Sequence, residues 1–123
     1  MVSQLERILV DTDIVIDIEK KRLPIPRAAC HISIITLYEY IRGKKNSLYA
    51  KKLVEEIFIV IPLDNKILEK AIEIWKKLKY KGEPVDERDL LIGATAIVYN
   101  LPLYTRNKKH YIRLIDFGLK FYK

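Results

Sequence analysis

The sequence has few of the features that mark secreted, membrane-spanning or disulfide-stabilised proteins. Cys30 is the only cysteine among 123 residues, so the chain cannot form an internal disulfide and a reducing compartment is expected. No basic and then apolar leader opens the sequence, and no apolar run approaches the length needed to span a bilayer. We therefore predict a cytoplasmic protein with no membrane partner.

The sequence also offers no set of side chains for nucleophilic catalysis. Its single cysteine and two histidines suggest neither a Cys/His pair nor a Ser/His/Asp set. Internal repeats, low-complexity tracts and interdomain linkers are missing as well, which predicts one domain spanning residues 1–123. Hydrophobic residues make up 50% of the chain, enough for a core without covalent staples.

Positive charge is what the chain has in excess. Lysine and arginine number 23 against 16 aspartate and glutamate residues, which gives a net charge of +7 at pH 7. Because lysine and arginine neutralise phosphates, this excess favours a polyanionic partner. A thermophilic origin is an alternative and purely structural explanation for the abundant lysine.

Apolar patterning predicts strands that alternate with helices. Short apolar runs predict strands at residues 1–10, 30–34, 58–61, 103–105 and 119–122. Three- and four-residue spacing predicts helices at residues 13–19, 37–42, 47–57, 64–79 and 86–97. This alternation predicts an α/β domain with a central, mostly parallel sheet of about five strands flanked by helices.

Several polar residues at predicted helix starts have an ordinary explanation as caps. Thr36 with Glu39 three residues later fits a capping box. Two aspartates, Asp11 and Asp13, follow the first strand, although one aspartate suffices for a cap. Asp13 either caps the first helix or holds a metal-bound water, and Asp17 is expected to be solvated. Capping alone therefore does not account for both aspartates of the pair.

Four polar side chains fall at the carboxyl ends of strands or at the neighbouring helix starts, where α/β proteins build their sites. These residues are Asp11, Glu39, Asp89 and Asn107. Three carboxylates at one sheet edge repel each other unless a cation lies between them, and oxygen ligands suit Mg²⁺ or Mn²⁺. Such ions can clamp the attacking and leaving oxygens of a scissile phosphate. Asp86 and Asp89 both stand where an N-cap of the last helix belongs.

Residues 9–13 (LVDTD), 32–39 (ISIITLYE), 89–96 (DLLIGATA) and 101–107 (LPLYTRN) carry a resemblance to a known family. In order and spacing they resemble the PIN-domain family, above all its VapC-type toxin branch from type II toxin–antitoxin pairs. The resemblance implies a metal-dependent endoribonuclease, usually a homodimer, that a cognate VapB-like antitoxin holds inactive. It also suggests an antitoxin helix in an apolar groove, lined by the short helices before and after Gly43.

The resemblance further assigns residues to roles. The family's catalytic positions fall on Asp11, Glu39, Asp89 and Asn107, of which the first three are the metal ligands. Because Asp89 matches the spacing of the family motif, we assign chemistry to Asp89 and helix capping to Asp86. A further acid is common before an aromatic residue in the last loop, but His110 stands there, before Tyr111. This departure concerns a second metal and leaves the first metal site intact. The implied reaction is hydrolysis of an RNA phosphodiester by a metal-activated water, giving 5′-phosphate and 3′-hydroxyl ends.

Two other classes of protein remain open. A receiver-like phosphoacceptor domain is also a five-stranded parallel α/β fold, and Asp64 would then accept the phosphate instead of only capping the longest helix. Pro62 just before it, and the lack of a Lys-Pro pair near the C-terminus, argue against this. A catalytically silent PIN-like adaptor that binds RNA or protein is the other class. The departure at His110 allows it, whereas the intact acidic triad weighs against it.

Overall fold

The computed structural model describes residues 5–123, so part of the first predicted strand, residues 1–4, lies outside the described residues. The strands are β1 (Arg7–Val10), β2 (Ala29–Ser33), β3 (Ile59–Ile61) and β4 (Leu103–Tyr104). The α-helices are α1 (Thr12–Glu19), α2 (Ile34–Ile41), α3 (Ser47–Ile57), α4 (Asn65–Tyr80) and α5 (Glu87–Val98). Two 3₁₀ turns follow β4, at Lys108–His110 and Ile112–Phe117.

The strands form one parallel sheet in the order β3-β2-β1-β4, which confirms the predicted α/β architecture. Strand β1 is central, with Leu9 in register with His31 on one side and Leu103 on the other. The prediction of about five strands was one too many. Residues 119–122 form only an isolated bridge between Phe121 and Leu103, because β4 is two residues long and offers little edge to pair with.

Alternation along β1 divides the core into two layers. Ile8 and Val10 pack with Ile14 and other buried residues of α1, α2 and α3. Leu9 points to the opposite face and packs among α4, α5 and the second 3₁₀ turn. Helix α5 is buried along most of its length, as its small and apolar residues predict, and this places Asp89 in its first turn near the end of β1. Within residues 5–123, no helix combines the length and the apolarity that crossing a membrane requires.

Helix α2 begins three residues earlier than predicted, and a different residue caps it. The hydroxyl of Ser33 accepts a hydrogen bond from the backbone N–H of Ile35 at 3.0 Å, so Ser33 and not Thr36 is the N-cap. Thr36 is fully buried within the first turn. The predicted capping box is therefore wrong, because Glu39 lies too far along the helix to reach its N-terminus. Its carboxylate is free for other contacts.

Helix α1 corrects two further expectations. Asp11 is its N-cap and accepts a hydrogen bond from the backbone N–H of Thr12 at 2.7 Å, so Asp13 does not have that role. Asp17 was expected to be solvated but is buried, with 2% of its surface exposed. The caps assigned to Asp64 and Asp86 are confirmed.

Replacing Ser33 by alanine should lower the free energy of unfolding by about 1 kcal/mol, because the Ile35 amide loses its capping acceptor. Ser33→Gly should cost only a few tenths of a kcal/mol, since glycine is itself a tolerated N-cap. Urea denaturation of the three proteins at pH 7 measures both differences. Equal stability of Ser33→Ala and wild type would show that the hydroxyl does not cap α2.

Candidate active site

The carboxyl ends of the strands and the start of α5 open onto one cleft of about 710 Å³. The structure brings all four sequence-predicted site residues to its wall, namely Asp11, Glu39, Asp89 and Asn107. Asp13 and Asp86 also line the cleft, so five carboxylates share it. Strand ends and helix starts meet there, which is why residues distant in sequence converge.

Asp11 is the most firmly held of these carboxylates. It is 7% exposed, and besides capping α1 it accepts hydrogen bonds through Oδ2 from two hydroxyl groups. The Thr105 hydroxyl and the Tyr111 phenol each lie 2.9 Å from that oxygen. Three donors from separate parts of the chain therefore fix the orientation of one buried carboxylate.

Tyr111 links Asp11 to Asp89 and was missed as a site residue by sequence reasoning. Its hydroxyl lies 3.3 Å from Oδ1 of Asp89 as well as 2.9 Å from Asp11. Burial, followed by the charges of both carboxylates, raises the pKa of Tyr111, so the phenol keeps its proton. One hydrogen therefore serves two acidic side chains, which reduces their repulsion. Only the three-dimensional contact reveals this role, since no spacing rule points to the tyrosine.

Asp89 sits in an environment that disfavours its charge. Burial is the main cause of its raised pKa, and the negative charges of Asp86 and Asp11 add to it. His110 approaches from the solvent side, with Nδ1 at 3.7 Å from Oδ2 of Asp89. A divalent cation near Asp89 would relieve both the burial cost and the repulsion.

Glu39 is held by neutral and charged partners on its two oxygens. The Thr12 hydroxyl donates to Oε1 at 2.9 Å and also lies 3.2 Å from the Thr36 hydroxyl. Oε2 pairs with the guanidinium of Arg88 at 2.9 Å. Arg88 is in turn bound to Asp86, the N-cap of α5. In this arrangement a positive side chain already neutralises Glu39.

Asp13 accepts a hydrogen bond from Asn107, the last of the four predicted site residues. Asp13 therefore belongs to the site itself, a role that helix capping does not explain. Asn107 Nδ2 donates to Oδ2 of Asp13 at 3.2 Å, and the Arg106 backbone N–H donates to the same oxygen at 2.9 Å. The other oxygen, Oδ1, is buried and has no hydrogen-bond partner among the described residues. Burial raises the pKa of Asp13, and the charge of Asp11 adds to this effect. Asn107 thus reaches the acidic group through Asp13.

The chemistry of this donor set fits a hard divalent cation. Carboxylate oxygens dominate the cleft, and Oδ1 of Asp13 is an acceptor without a donor. As the side chains lie, however, no three acidic, histidine or cysteine residues within 5–123 are close enough to share an ion. Glu39 would have to exchange Arg88 for the cation to complete such a set. The carboxylate ligands that such a cation needs are therefore present, and one of them, Glu39, is paired with Arg88 instead.

Comparison with known proteins agrees with the fold. The PIN domain family profile matches residues 8–116. Ribonuclease VapC1 of Methanocaldococcus jannaschii is 42% identical over 118 residues, which cover 94% of this chain and 87% of that relative. The chain belongs to the PIN-domain family, in its VapC-type branch.

Other VapC relatives agree with that membership. A VapC ribonuclease of Pyrococcus furiosus is 35% identical over 93 residues, covering 72% of this PIN domain and 62% of the relative. Among solved structures, VapBC-1 from nontypeable Haemophilus influenzae aligns with a TM-score of 0.80 at 27% identity. That alignment covers 95% of this chain and 97% of the other.

The receiver-like alternative is therefore wrong. Asp64, its presumed phosphoacceptor, accepts a hydrogen bond from the backbone N–H of Ile67 at 2.9 Å and another from the Tyr99 hydroxyl. Asp64 is not among the residues that line the acidic cleft. Its environment is that of a helix cap.

In the metal-free protein, Asp89→Asn should raise the melting temperature at pH 7 by a few degrees. Because the folded-state pKa of Asp89 is raised, the folded protein binds more protons than the unfolded chain above the ordinary carboxyl pKa. The stabilisation that Asp89 contributes is fully present below the ordinary carboxyl pKa, and it is lost as the pH rises through the pKa of Asp89 in the folded protein. Asparagine does not ionise, so the Asp89→Asn protein does not lose this stability as the pH rises.

Thermal melts in a chelator between about pH 4 and pH 7 test this sign. The difference between Asp89→Asn and wild type should grow with pH. Asp116→Asn, which changes an exposed aspartate outside the cleft, should show no such growth. A difference that is constant with pH, or an Asp89→Asn protein less stable than wild type at pH 7, would contradict the electrostatic account.

Proposed function

We propose that the chain is a divalent-metal-dependent endoribonuclease, a VapC-type toxin that a separate VapB-like antitoxin inhibits. The observation that carries the proposal is the set of carboxylates Asp11, Asp13, Glu39 and Asp89 on one cleft of a PIN fold. The ribonuclease name of the relative from Methanocaldococcus jannaschii supports the activity. The cytoplasm is the proposed location, in keeping with a free thiol at Cys30.

Asp11, Glu39 and Asp89 would hold Mg²⁺ or Mn²⁺, with Asp13 and Asn107 beside them. Bound there, the ion would lower the pKa of a water and stabilise negative charge on the phosphoryl oxygens. The protein's own contribution is orientation and charge. The donors to Asp11 fix that ligand before any ion arrives, and Oδ1 of Asp13 is a further acceptor that has no hydrogen-bond partner among the described residues.

The proposal of an RNA substrate rests on the basic side chains that surround the acidic residues of the cleft. Arg88, Lys109, His110 and Arg113 line the same cleft. Basic groups around an acidic centre can bind the phosphates on either side of a scissile bond. Attack by water on the phosphorus, with the 3′-oxygen as the leaving group, would leave 5′-phosphate and 3′-hydroxyl ends.

Asp11→Asn should lower RNA cleavage in Mg²⁺ by at least about a hundredfold, because the central ligand loses its charge while the fold is kept. The measurement is a cleavage assay on purified RNA, with circular dichroism to confirm folding. Asp116→Asn serves as the matched control and should cleave at the wild-type rate. Activity of Asp11→Asn within about tenfold of wild type would contradict the proposal. Wild-type RNA binding without metal-dependent cleavage would favour the silent adaptor.

A second surface suits the proposed inhibitor. An apolar groove of about 920 Å³ lies between α1, α2 and α3, at the helices before and after Gly43. Exposed side chains of α3 such as Tyr49 and Leu53 line it, and Lys21, Lys44 and Lys45 stand at its rim. We propose that an amphipathic helix of the antitoxin binds there, with acidic residues beside its apolar face. The antitoxin complex formed by the Haemophilus influenzae relative supports the class of partner.

Leu53→Asp should weaken binding of the cognate VapB-like antitoxin by at least about tenfold, because a buried charge replaces an apolar contact. Leu48 is an exposed leucine of the same helix that does not line the groove, so Leu48→Asp is the matched control. Fluorescence titration of the purified antitoxin measures both. Equal affinity of the two variants would place the antitoxin elsewhere.

A homodimer is the proposed oligomeric state. Leu68, Ile72 and Trp75 are each at least 40% exposed on one side of α4, an apolar patch that a second copy could cover. Sedimentation of the isolated chain should then give twice the mass of one chain, and a monomer at micromolar concentration would argue against the dimer.

A further inference from the structure

Asp17 is a buried carboxylate that the proposed chemistry does not use. Its side chain is 3% exposed on α1, and it is not among the residues that line the acidic cleft. Oδ2 lies 3.1 Å from Nε of Arg106, and Oδ1 lies 3.6 Å from Nη1 of Arg22. Burying a carboxylate is costly even when it is paired, so Asp17 calls for a role beyond stability.

Arg106 connects Asp17 to the loop that carries Asn107. Its Nε lies 3.1 Å from Oδ2 of Asp17 and 3.8 Å from Oδ2 of Asp13, and its backbone N–H donates to Asp13 at 2.9 Å. Asn107 then donates its side-chain amide to the same oxygen of Asp13. Asp13 and Asp17 are four residues apart and so lie on one face of α1. The loop after β4 is therefore attached to α1 at two carboxylates, one in the cleft and one behind it.

We propose that Asp17 is a positioning residue that fixes residues 105–107 against α1. By holding the Arg106 guanidinium, it keeps the Arg106 N–H and the Asn107 side chain directed at Asp13. The effect of Asp17 on catalysis rests on the proposed nuclease function. The position of residues 105–107 is independent of that function and can be measured in the metal-free protein.

If Asp17 served only to stabilise the fold, Asp17→Asn would lower the melting temperature. Both arginines are largely exposed, at 64% for Arg22 and 60% for Arg106, so solvent weakens their attraction to Asp17. The carboxylate itself bears the full cost of burial. Asp17→Asn should therefore leave the melting temperature nearly unchanged or raise it, while the loop loses its attachment. Loosening of the loop without global destabilisation is the signature of positioning.

Amide hydrogen exchange by NMR in a chelator tests the loop directly. In Asp17→Asn the Arg106 amide should exchange at least about tenfold faster than in wild type. The Leu9 amide, which donates to Pro102 in the sheet, should be unaffected. Glu73→Gln is the matched control, since Glu73 also pairs with two basic side chains but on exposed α4, and it should leave the Arg106 amide unchanged.

Arg106→Gln provides a second variant should Asp17→Asn fail to fold. It removes the guanidinium but keeps the reporting amide, and it should accelerate exchange of that amide at least to the same extent, because the contact of Nε with Asp13 is lost as well. The double variant should equal Arg106→Gln, because the Asp17–Arg106 pair is already absent in that variant. Arg22→Gln removes the other partner of Asp17 and should leave the Arg106 amide protected. Unchanged exchange in both Asp17→Asn and Arg106→Gln, or uniform acceleration throughout the sheet, would overturn the proposal.

Cleavage assays on the same proteins separate this inference from the proposed function. Asp17→Asn should lower kcat by about tenfold with little change in KM, because Asp17 acts on Asp13 and Asn107 and not on the substrate. A loosened loop with a wild-type kcat would overturn the catalytic part. Absence of cleavage by wild type would refute the proposed function, whereas the exchange data would still decide the role of Asp17.

Discussion

The fixing of the Asp11 carboxylate is the interaction on which the cleft depends. This side chain ends the central strand, begins the first helix, and is hydrogen-bonded by Thr105 and Tyr111 from the C-terminal part of the chain. The donors are Thr12 at the start of α1, Thr105 just after β4 and Tyr111 between the two 3₁₀ turns, so three parts of the chain meet at one pair of oxygens. The side chain that joins these parts of the chain also places a negative charge at the sheet edge.

Neighbouring side chains partly compensate the charges of the other acids around Asp11. Tyr111 supplies one hydrogen between Asp11 and Asp89, and Arg88 supplies positive charge to Glu39. Asp13 retains an oxygen with no partner among the described residues. Burial raises the pKa of both Asp13 and Asp89. Carboxylates held at such a cost are typical of functional sites, where stability is given up for chemistry.

The sequence predicts those features that follow from local pattern. Alternation of apolar runs with helical spacing is enough to predict a parallel α/β sheet, and the end of the first strand locates Asp11. Asp89, at a helix start, was distinguished from Asp86 by the family motif. The caps at Asp64 and Asp86 also follow from local chemistry, and the structure confirms them. The match over residues 8–116 confirms the family resemblance.

The features that escaped prediction depend on partners far along the chain. Asp17 looks solvated in sequence but is buried, where the guanidinium groups of Arg106 and Arg22 pair with it. The role of Tyr111 is visible only from the position of its hydroxyl between two acids. Ser33 replaces Thr36 as a cap because β2 runs directly into α2 without a loop, which spacing alone does not reveal. The missing fifth strand reflects the shortness of β4, a tertiary property.

The most direct test of the account is anomalous diffraction from crystals of the wild-type chain grown with Mn²⁺. A manganese peak bound by the carboxylates of Asp11 and Asp89, with Glu39 released from Arg88, is the result we expect. The same crystals of Asp89→Asn should lack the peak. A well-ordered wild-type cleft without manganese at a saturating concentration would contradict the claim that these carboxylates form a cation centre.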